Sequence, residues 1–159
     1  SKMNGLTARD VMNADVITIQ KNKTVKELST LLTEHWITGA PVVNDEDNLV
    51  GVVSLTDIAK NVNETDVAVD NSNPRYDVRG WENKMEPEEL EQCHIEKEGM
   101  LVEDIMTSLP LTVPETTTVP EIADIMVEGR VHRLLVTRNR QLMGIITTLD
   151  VLKLFQSVR

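Results

Sequence analysis

At 159 residues, 40% apolar and 26% charged, the chain has the length and composition of one folded domain or a tightly paired double unit. No apolar run approaches the ~20 residues needed to span a bilayer, the opening residues do not read as a secretory leader, and the lone Cys93 excludes an intrachain disulfide, so a cytoplasmic setting is expected. The net charge of −10 is concentrated in residues 61–98, where eleven acidic and four basic side chains leave −7, a balance that argues against nucleic acid as a partner.

In chain order, the dominant signal is repetition. Residues 7–62 contain ARDVM, TVKELSTLL, GAPVV and LVGVVSLTDI, and residues 99–159 contain VEDIM, TVPEIADIM, RLLVT and LMGIITTLDV. The offset is 94 residues through Val43 and Thr137, then 93 after a one-residue deletion in the following turn. Each copy is about 55 residues, too small to bury a good core alone, so the two are expected to share one module.

Asp15–Ile19 and Pro110–Val113 read as short extended stretches that lead into helices. Thr24-Val-Lys-Glu27 and Thr118-Val-Pro-Glu121 match the capping box, in which hydroxyl and carboxylate each satisfy a free N–H of the first turn. Val25, Leu28, Leu31 and Leu32, and in the second copy Val119, Ile122, Ile125 and Met126, then form an apolar stripe of helical period that packs as core. Ala40–Val43 with Leu49–Ser54, and Leu134–Thr137 with Leu142–Thr147, read as β-hairpins with loops of four or five residues. A second helix is expected near Asp57 and near Asp150. The fold class is therefore mixed α/β (α+β), with two β-α-β-β-α repeats.

Residues 63–98 have no counterpart after the second repeat and read as an acidic insertion or linker. Pro87 could open a short helix there, and Tyr76, Val78 and Trp81 could anchor the segment. The plainer reading of its charge is a solvated face; the sharper one is a flap over a cleft or a surface for a basic partner. His35, His94 and His132 share no metal-ligand spacing, and Cys93-His94 falls short of the four ligands a zinc site wants. Trp36 could line a cleft rim or pack at an interface.

Chemistry concentrates at the strand-to-helix junction, where Gly51-Val-Val-Ser54-Leu-Thr56-Asp57 recurs as Gly144-Ile-Ile-Thr147-Thr-Leu-Asp150. Hydroxyls and a carboxylate at a helix start can cap the helix and do nothing else. They can also meet a ligand, because the free N–H groups favour anions and an Asp can accept from a vicinal diol.

The duplication, the DVM/DIM lead-ins, the apolar-Pro-Val-Val strand and G-x-x-[ST]-x-x-D together resemble a tandem pair of CBS (cystathionine-β-synthase) domains, a Bateman module. The resemblance covers both repeats and implies pseudo-two-fold packing into one module with two clefts for adenosine-containing ligands. One cleft would join Ser54, Thr56 and Asp57 to Leu109, Leu111, Val131, His132 and Arg133. Asp57 would hold the ribose, the hydroxyls and Arg133 would meet phosphate, and backbone near Leu111 and Val131 would border the adenine. The other would join Thr147 and Asp150 to Asp15, Ile17, Ile37 and Thr38; it has Leu149 in place of Thr56 and Gly39 in place of Arg133. The first is therefore the expected phosphate site.

The resemblance implies a regulatory module sensing AMP, ADP or ATP, a homodimer and a regulated partner protein, with no catalytic cofactor, metal or membrane. A dimerisation module with empty clefts, or a sensor of S-adenosylmethionine or NAD, is the alternative. No nucleophile–base pair, metal cluster or phosphate loop points to an enzyme.

Overall fold

A computed structural model describes residues 5–62 and 99–156. The acidic insertion, with Tyr76, Val78, Trp81, Pro87 and Cys93-His94, lies outside the described residues. The first repeat runs α1 (Ala8–Val11), β1 (Ile19–Gln20), α2 (Val25–His35), β2 (Gly39–Val43), β3 (Leu49–Ser54) and α3 (Leu55–Val62). The second runs α4 (Val102–Ile105), β4 (Thr107–Ser108), β5 (Thr112–Pro114), α5 (Val119–Gly129), β6 (Arg133–Arg138), β7 (Gln141–Thr147) and α6 (Thr148–Lys153). The β-α-β-β-α order is present in both copies, each preceded by a one-turn lead-in helix. The fold is α+β, with two sheets.

The chain divides into two compact units that do not coincide with the sequence repeats: Ile17–Pro110 forms one, and Ser1–Val16 with Leu111–Arg159 forms the other. Each lead-in helix belongs to the unit built on the other repeat's sheet. In the Ile17–Pro110 unit the sheet order is β1-β2-β3-β4, with β1 parallel to β2 and the other pairs antiparallel. Its fourth strand is thus supplied by the second repeat. The lead-in is tied further by Val25 N–H to the Met100 carbonyl (2.8 Å), Val102 N–H to that of Lys23 (2.8 Å) and Glu103 N–H to that of Lys21 (3.0 Å). The core gathers Ile19, Val25, Leu28, Leu32, Val42, Val53, Leu55 and Ile58 with Val102 and Ile105 from the lead-in.

The other unit mirrors this. Its sheet is β5-β6-β7, with β5 parallel to β6 and β6 antiparallel to β7. The first repeat's lead-in adds a bridge between Asn13 and Ile145, with mutual N–H to carbonyl bonds of 2.8 and 2.9 Å. Ala8 and Arg9 donate to the carbonyls of Thr117 (2.8 Å) and Glu115 (3.0 Å). Ala8 is fully buried there, as are Ile122, Leu134, Leu135, Val136 and Ile146.

The glycines of the two motifs explain the exchange. A Cβ on Gly51 would sit 2.7 Å from the Thr107 carbonyl oxygen and 2.8 Å from Met106 Sδ. A Cβ on Gly144 would sit 2.7 Å from Met12 Sδ and 2.8 Å from the Asn13 carbonyl oxygen. Both glycines are needed for close approach of a foreign backbone, not for a turn.

Local expectations resolve unevenly. Thr24 and Glu27 form the full reciprocal box, with Glu27 N–H to Thr24 Oγ1 at 3.1 Å and Thr24 N–H to Glu27 Oε1 at 3.3 Å. At Thr118 the hydroxyl accepts from Glu121 N–H at 3.4 Å, and the cap carries Pro120 in the first turn in place of a reciprocal box. The second hairpin loop is shorter than expected: Arg138 pairs with Gln141, leaving Asn139-Arg140 as a two-residue turn. Both take positive φ (50° and 71°), which matches the twist of the flanking strands. The first hairpin keeps its longer loop, where Asn44 Oδ1 accepts from the N–H groups of Glu46 (2.9 Å) and Asn48 (3.0 Å).

Candidate functional site

Each unit builds the same corner. Where β3 runs into α3, Ser54 N–H and Oγ–H donate to Asp57 Oδ2 at 2.8 and 3.2 Å, and Asp57 N–H returns to Ser54 Oγ at 3.4 Å. Where β7 runs into α6, Thr147 N–H and Oγ1–H donate to Asp150 Oδ2 at 2.8 and 2.9 Å, and Asp150 N–H returns to Thr147 Oγ1 at 3.2 Å. These are reciprocal caps, so the plainer reading of the motif holds for one oxygen of each carboxylate.

The corners are closed by the preceding strand in the same way. Leu55 N–H donates to the Thr38 carbonyl (2.9 Å) and Thr148 N–H to the His132 carbonyl (3.0 Å). In register, Gly39 lies opposite Ser54 and Arg133 lies opposite Thr147. Arg133 therefore stands beside the second corner's hydroxyl in its own unit, where the first corner has only a glycine.

The two carboxylates differ in surroundings. Asp57 is half-buried, and burial pushes its carboxyl up to about 6, partly offset by the hydrogen bonds from Ser54 and the charge of Lys60. Its second oxygen, Oδ1, receives no hydrogen bond from a described residue. Asp150 Oδ1 instead faces Lys153 Nζ at 3.9 Å. Next to Asp57, Thr56 is 3% exposed, whereas Leu149, at the matching place beside Asp150, is 60% exposed.

The Ile17–Pro110 unit carries Ser54, Thr56, Asp57, Ile17, Ile37, Thr38 and Leu109, and the other unit carries Asp15, Leu111, Val131, His132, Arg133, Thr147 and Asp150. Within a unit, the structure brings Thr38 to the Asp57 corner, and His132 and Arg133 to the Asp150 corner; Ile37 and Val131 immediately precede them and bond back to Leu32 and Met126 of the preceding helices. Each residue set inferred from the resemblance draws on both units. Val131 is buried, so it faces its own core and offers a ligand only backbone, while His132 and Asp15 are exposed. Leu109 is exposed and takes a positive φ of 56°, a strained setting for leucine.

Sequence reasoning missed the part played by Met12, Met106, Gly51 and Gly144. The signal was available, since both pairs are identical in the two copies. What was hidden is that Met106 meets Gly51 and Met12 meets Gly144, each from the opposite repeat. Among the described residues, no cluster of His, Cys, Asp and Glu is placed to hold a metal ion, and no helix is long and apolar enough to cross a membrane.

The family model for the CBS domain matches twice, at residues 8–64 and 102–157. An uncharacterized protein of Methanocaldococcus jannaschii is 30% identical over 155 residues, 97% of this chain and 41% of that protein. The chloroplastic CBS domain-containing protein CBSX1 of Arabidopsis thaliana is 32% identical over 149 residues, 87% of this chain and 58% of that protein. The chain thus spans about half the length of these curated relatives. Among solved structures, CBSX2 in complex with AMP superposes with a TM-score of 0.66 at 28% identity, covering 95% of this chain and 96% of that one.

Proposed function

The chain belongs to the CBS domain family, with two copies of the domain, and we propose that it is a non-catalytic regulatory module that binds an adenosine-containing nucleotide. The observation that carries this reading is the Asp57 corner. A half-buried carboxylate with one oxygen committed to its own cap and the other accepting from no described residue is suited to accept from the two hydroxyls of a ribose. The AMP complex of CBSX2, a relative of similar fold, supports the same class of ligand. AMP, ADP and ATP share the groups such a site would read.

In this reading Asp57 holds the ribose, Ser54 and Thr56 border the phosphates, and Arg133 and His132 supply positive charge from the other repeat, with Leu109, Leu111 and Val131 beside the base. A second, weaker site uses Thr147 and Asp150 with Asp15, Ile17, Ile37 and Thr38. A nucleotide bridging the repeats would favour one arrangement of them, as far as its affinity differs between arrangements. Self-association as a homodimer and control of a partner protein in the cytoplasm belong to the same proposal.

Calorimetric titration of AMP and ATP into Asp57→Ala and Asp150→Ala tests it. Asp57→Ala is expected to weaken binding by about tenfold or more, the loss of a charged hydrogen bond, and Asp150→Ala to do less. Equal effects would remove the ranking of the two sites, and unchanged binding in both would remove the assignment. One observation favours the alternative of an interaction module with empty clefts: the reciprocal caps already account for Ser54, Thr147 and half of each carboxylate. A thermal-shift series with AMP, ADP, ATP, NAD and S-adenosylmethionine separates the two, because a ligand of the folded state must raise its stability.

A further inference from the structure

The two lead-in helices carry opposite charges at one matched position, and so do the turns that receive them. Arg9 of α1 and Glu103 of α4 stand 94 residues apart at the same place in the two copies, as do Lys21 and Glu115 in the turns before α2 and α5. In the Ile17–Pro110 unit, Glu103 N–H donates to the Lys21 carbonyl at 3.0 Å, and Lys21 Nζ stands 3.6 Å from Glu103 Oε2. In the other unit, Arg9 N–H donates to the Glu115 carbonyl at 3.0 Å. Hydrogen bonding from Arg138, and after it the charges of Arg138 and Arg9, hold the Glu115 carboxyl below the usual carboxylate range against its desolvation. The residue before each of these lead-in charges differs in size. Ala8 and Val102 match in the repeat and are both fully buried, and Val102 belongs to the core cluster of Val25, Leu28 and Leu32.

We infer that the charges and sizes at these positions form a topological lock, which admits each lead-in to the other repeat's sheet and refuses it on its own. Returned to its own sheet, Arg9 would meet Lys21 and Glu103 would meet Glu115, so two attractions become two repulsions. Arg138 already holds both oxygens of Glu115, and Glu103 would have to compete for it. Val102 would also enter a site shaped round Ala8, and Ala8 would leave a void in the site that holds Val102. Features that the copies share cannot make this choice. Asp10 and Asp104, Met12 and Met106, and Gly51 and Gly144 are identical, so the cap of each lead-in and its approach to a glycine are the same in either arrangement. An exposed ion pair adds little to absolute stability, but two otherwise matched arrangements are separated by small differences, repulsive ones included. Neither repeat can then complete its own unit.

The lock is independent of the nucleotide reading, and trapping the arrangement tests it. Asn13 pairs with Ile145, and the matching Thr107 pairs with Val52. In the full chain carrying Cys93→Ser, the pair Asn13→Cys/Ile145→Cys can therefore close a disulfide only when the lead-in is exchanged, and Asn13→Cys/Val52→Cys only when it is not. In a glutathione redox buffer, with closure followed by mass spectrometry, the first pair is expected to close and the second to close at least about tenfold more slowly. Interchanging the lead-in residues, by Ala8→Val, Arg9→Glu, Val102→Ala and Glu103→Arg, is expected to reverse that order. An interchanged chain that still closes the first pair as fast as the original would overturn the inference. Should the interchanged chain fail to fold, denaturant titration of single charge reversals decides the matter. Glu103→Lys and Lys21→Glu are each expected to lower the folded-to-unfolded ratio about two- to fivefold, and the double variant to recover it. A double variant that loses the sum of the two single effects would overturn the inference as well.

Discussion

Replacing Asp57 by asparagine isolates the energetic cost of the corner that the ligand reading depends on. Burial raises this carboxyl from 3.8 to about 6 in the folded chain. The folded state therefore holds its proton more tightly than the unfolded state, so stability from this group is fully present below about pH 4 and is lost as pH rises through about 6. At 1.36 kcal/mol per pH unit, the full displacement corresponds to at most about 3 kcal/mol against the folded state at neutral pH. Water reaching a half-buried group reduces that figure. Asparagine keeps an oxygen to accept from Ser54 N–H and Oγ–H and removes the charge. Asp57→Asn is therefore expected to unfold about 1–3 kcal/mol less readily than the original chain at pH 7.5, or about 3–10 °C higher in Tm, and to exceed it by only about a third as much at pH 4.5. Chemical denaturation followed by circular dichroism at both pH values measures the difference. A variant equally destabilised at pH 4.5 and 7.5 would refute the reasoning, since the charge would then be helping the cap.

Gly51→Ala and Gly144→Ala should each cost about 1–3 kcal/mol, because the added methyl group meets a backbone carbonyl oxygen at 2.7 or 2.8 Å as well as a methionine sulfur. Trimming the methionine in Gly51→Ala/Met106→Ala should recover only part of that, and full recovery in denaturant titrations would contradict the contact. Thr24→Ala should lose about 1 kcal/mol and Thr118→Ala less, since only Thr24 sits in a reciprocal box; equal losses by thermal unfolding would contradict this. Arg140→Gly, at a φ of 71°, should add roughly 0.5–1 kcal/mol by relieving a left-handed residue, and a lower Tm would argue for a side-chain contact there.

Much of the fold was legible because local patterns repeat. The capping threonines, the stripes from Val25 and Val119, and the hairpin strands all follow from spacing within a few residues. The second hairpin loop was read too long because Asn139-Arg140 lacks the glycine that usually marks a two-residue turn. At the site, the hydroxyl-to-Asp spacing predicted a cap, and both corners form one. Their difference was not legible: Thr56 against Leu149 showed as a change of polarity, whereas the structure adds that one is buried and the other exposed.

By itself the sequence determined that the chain is a duplicated α+β unit, that helices start at Thr24 and Thr118 and near Asp57 and Asp150, and that matched hydroxyl-and-carboxylate motifs stand at two corners. These are local matters, set by hydrogen bonds between residues three apart and by side-chain periodicity. Only the tertiary structure decided that the lead-ins are exchanged, that Gly51 and Gly144 serve Met106 and Met12, and that Asp57 is half-buried while Leu149 and Leu152 are exposed. The physical reason is that exchange and burial depend on which surfaces meet. Two copies with nearly the same pattern satisfy the local rules equally well whether each lead-in stays with its own sheet or crosses to the other, and only the groups that meet where it docks distinguish the two.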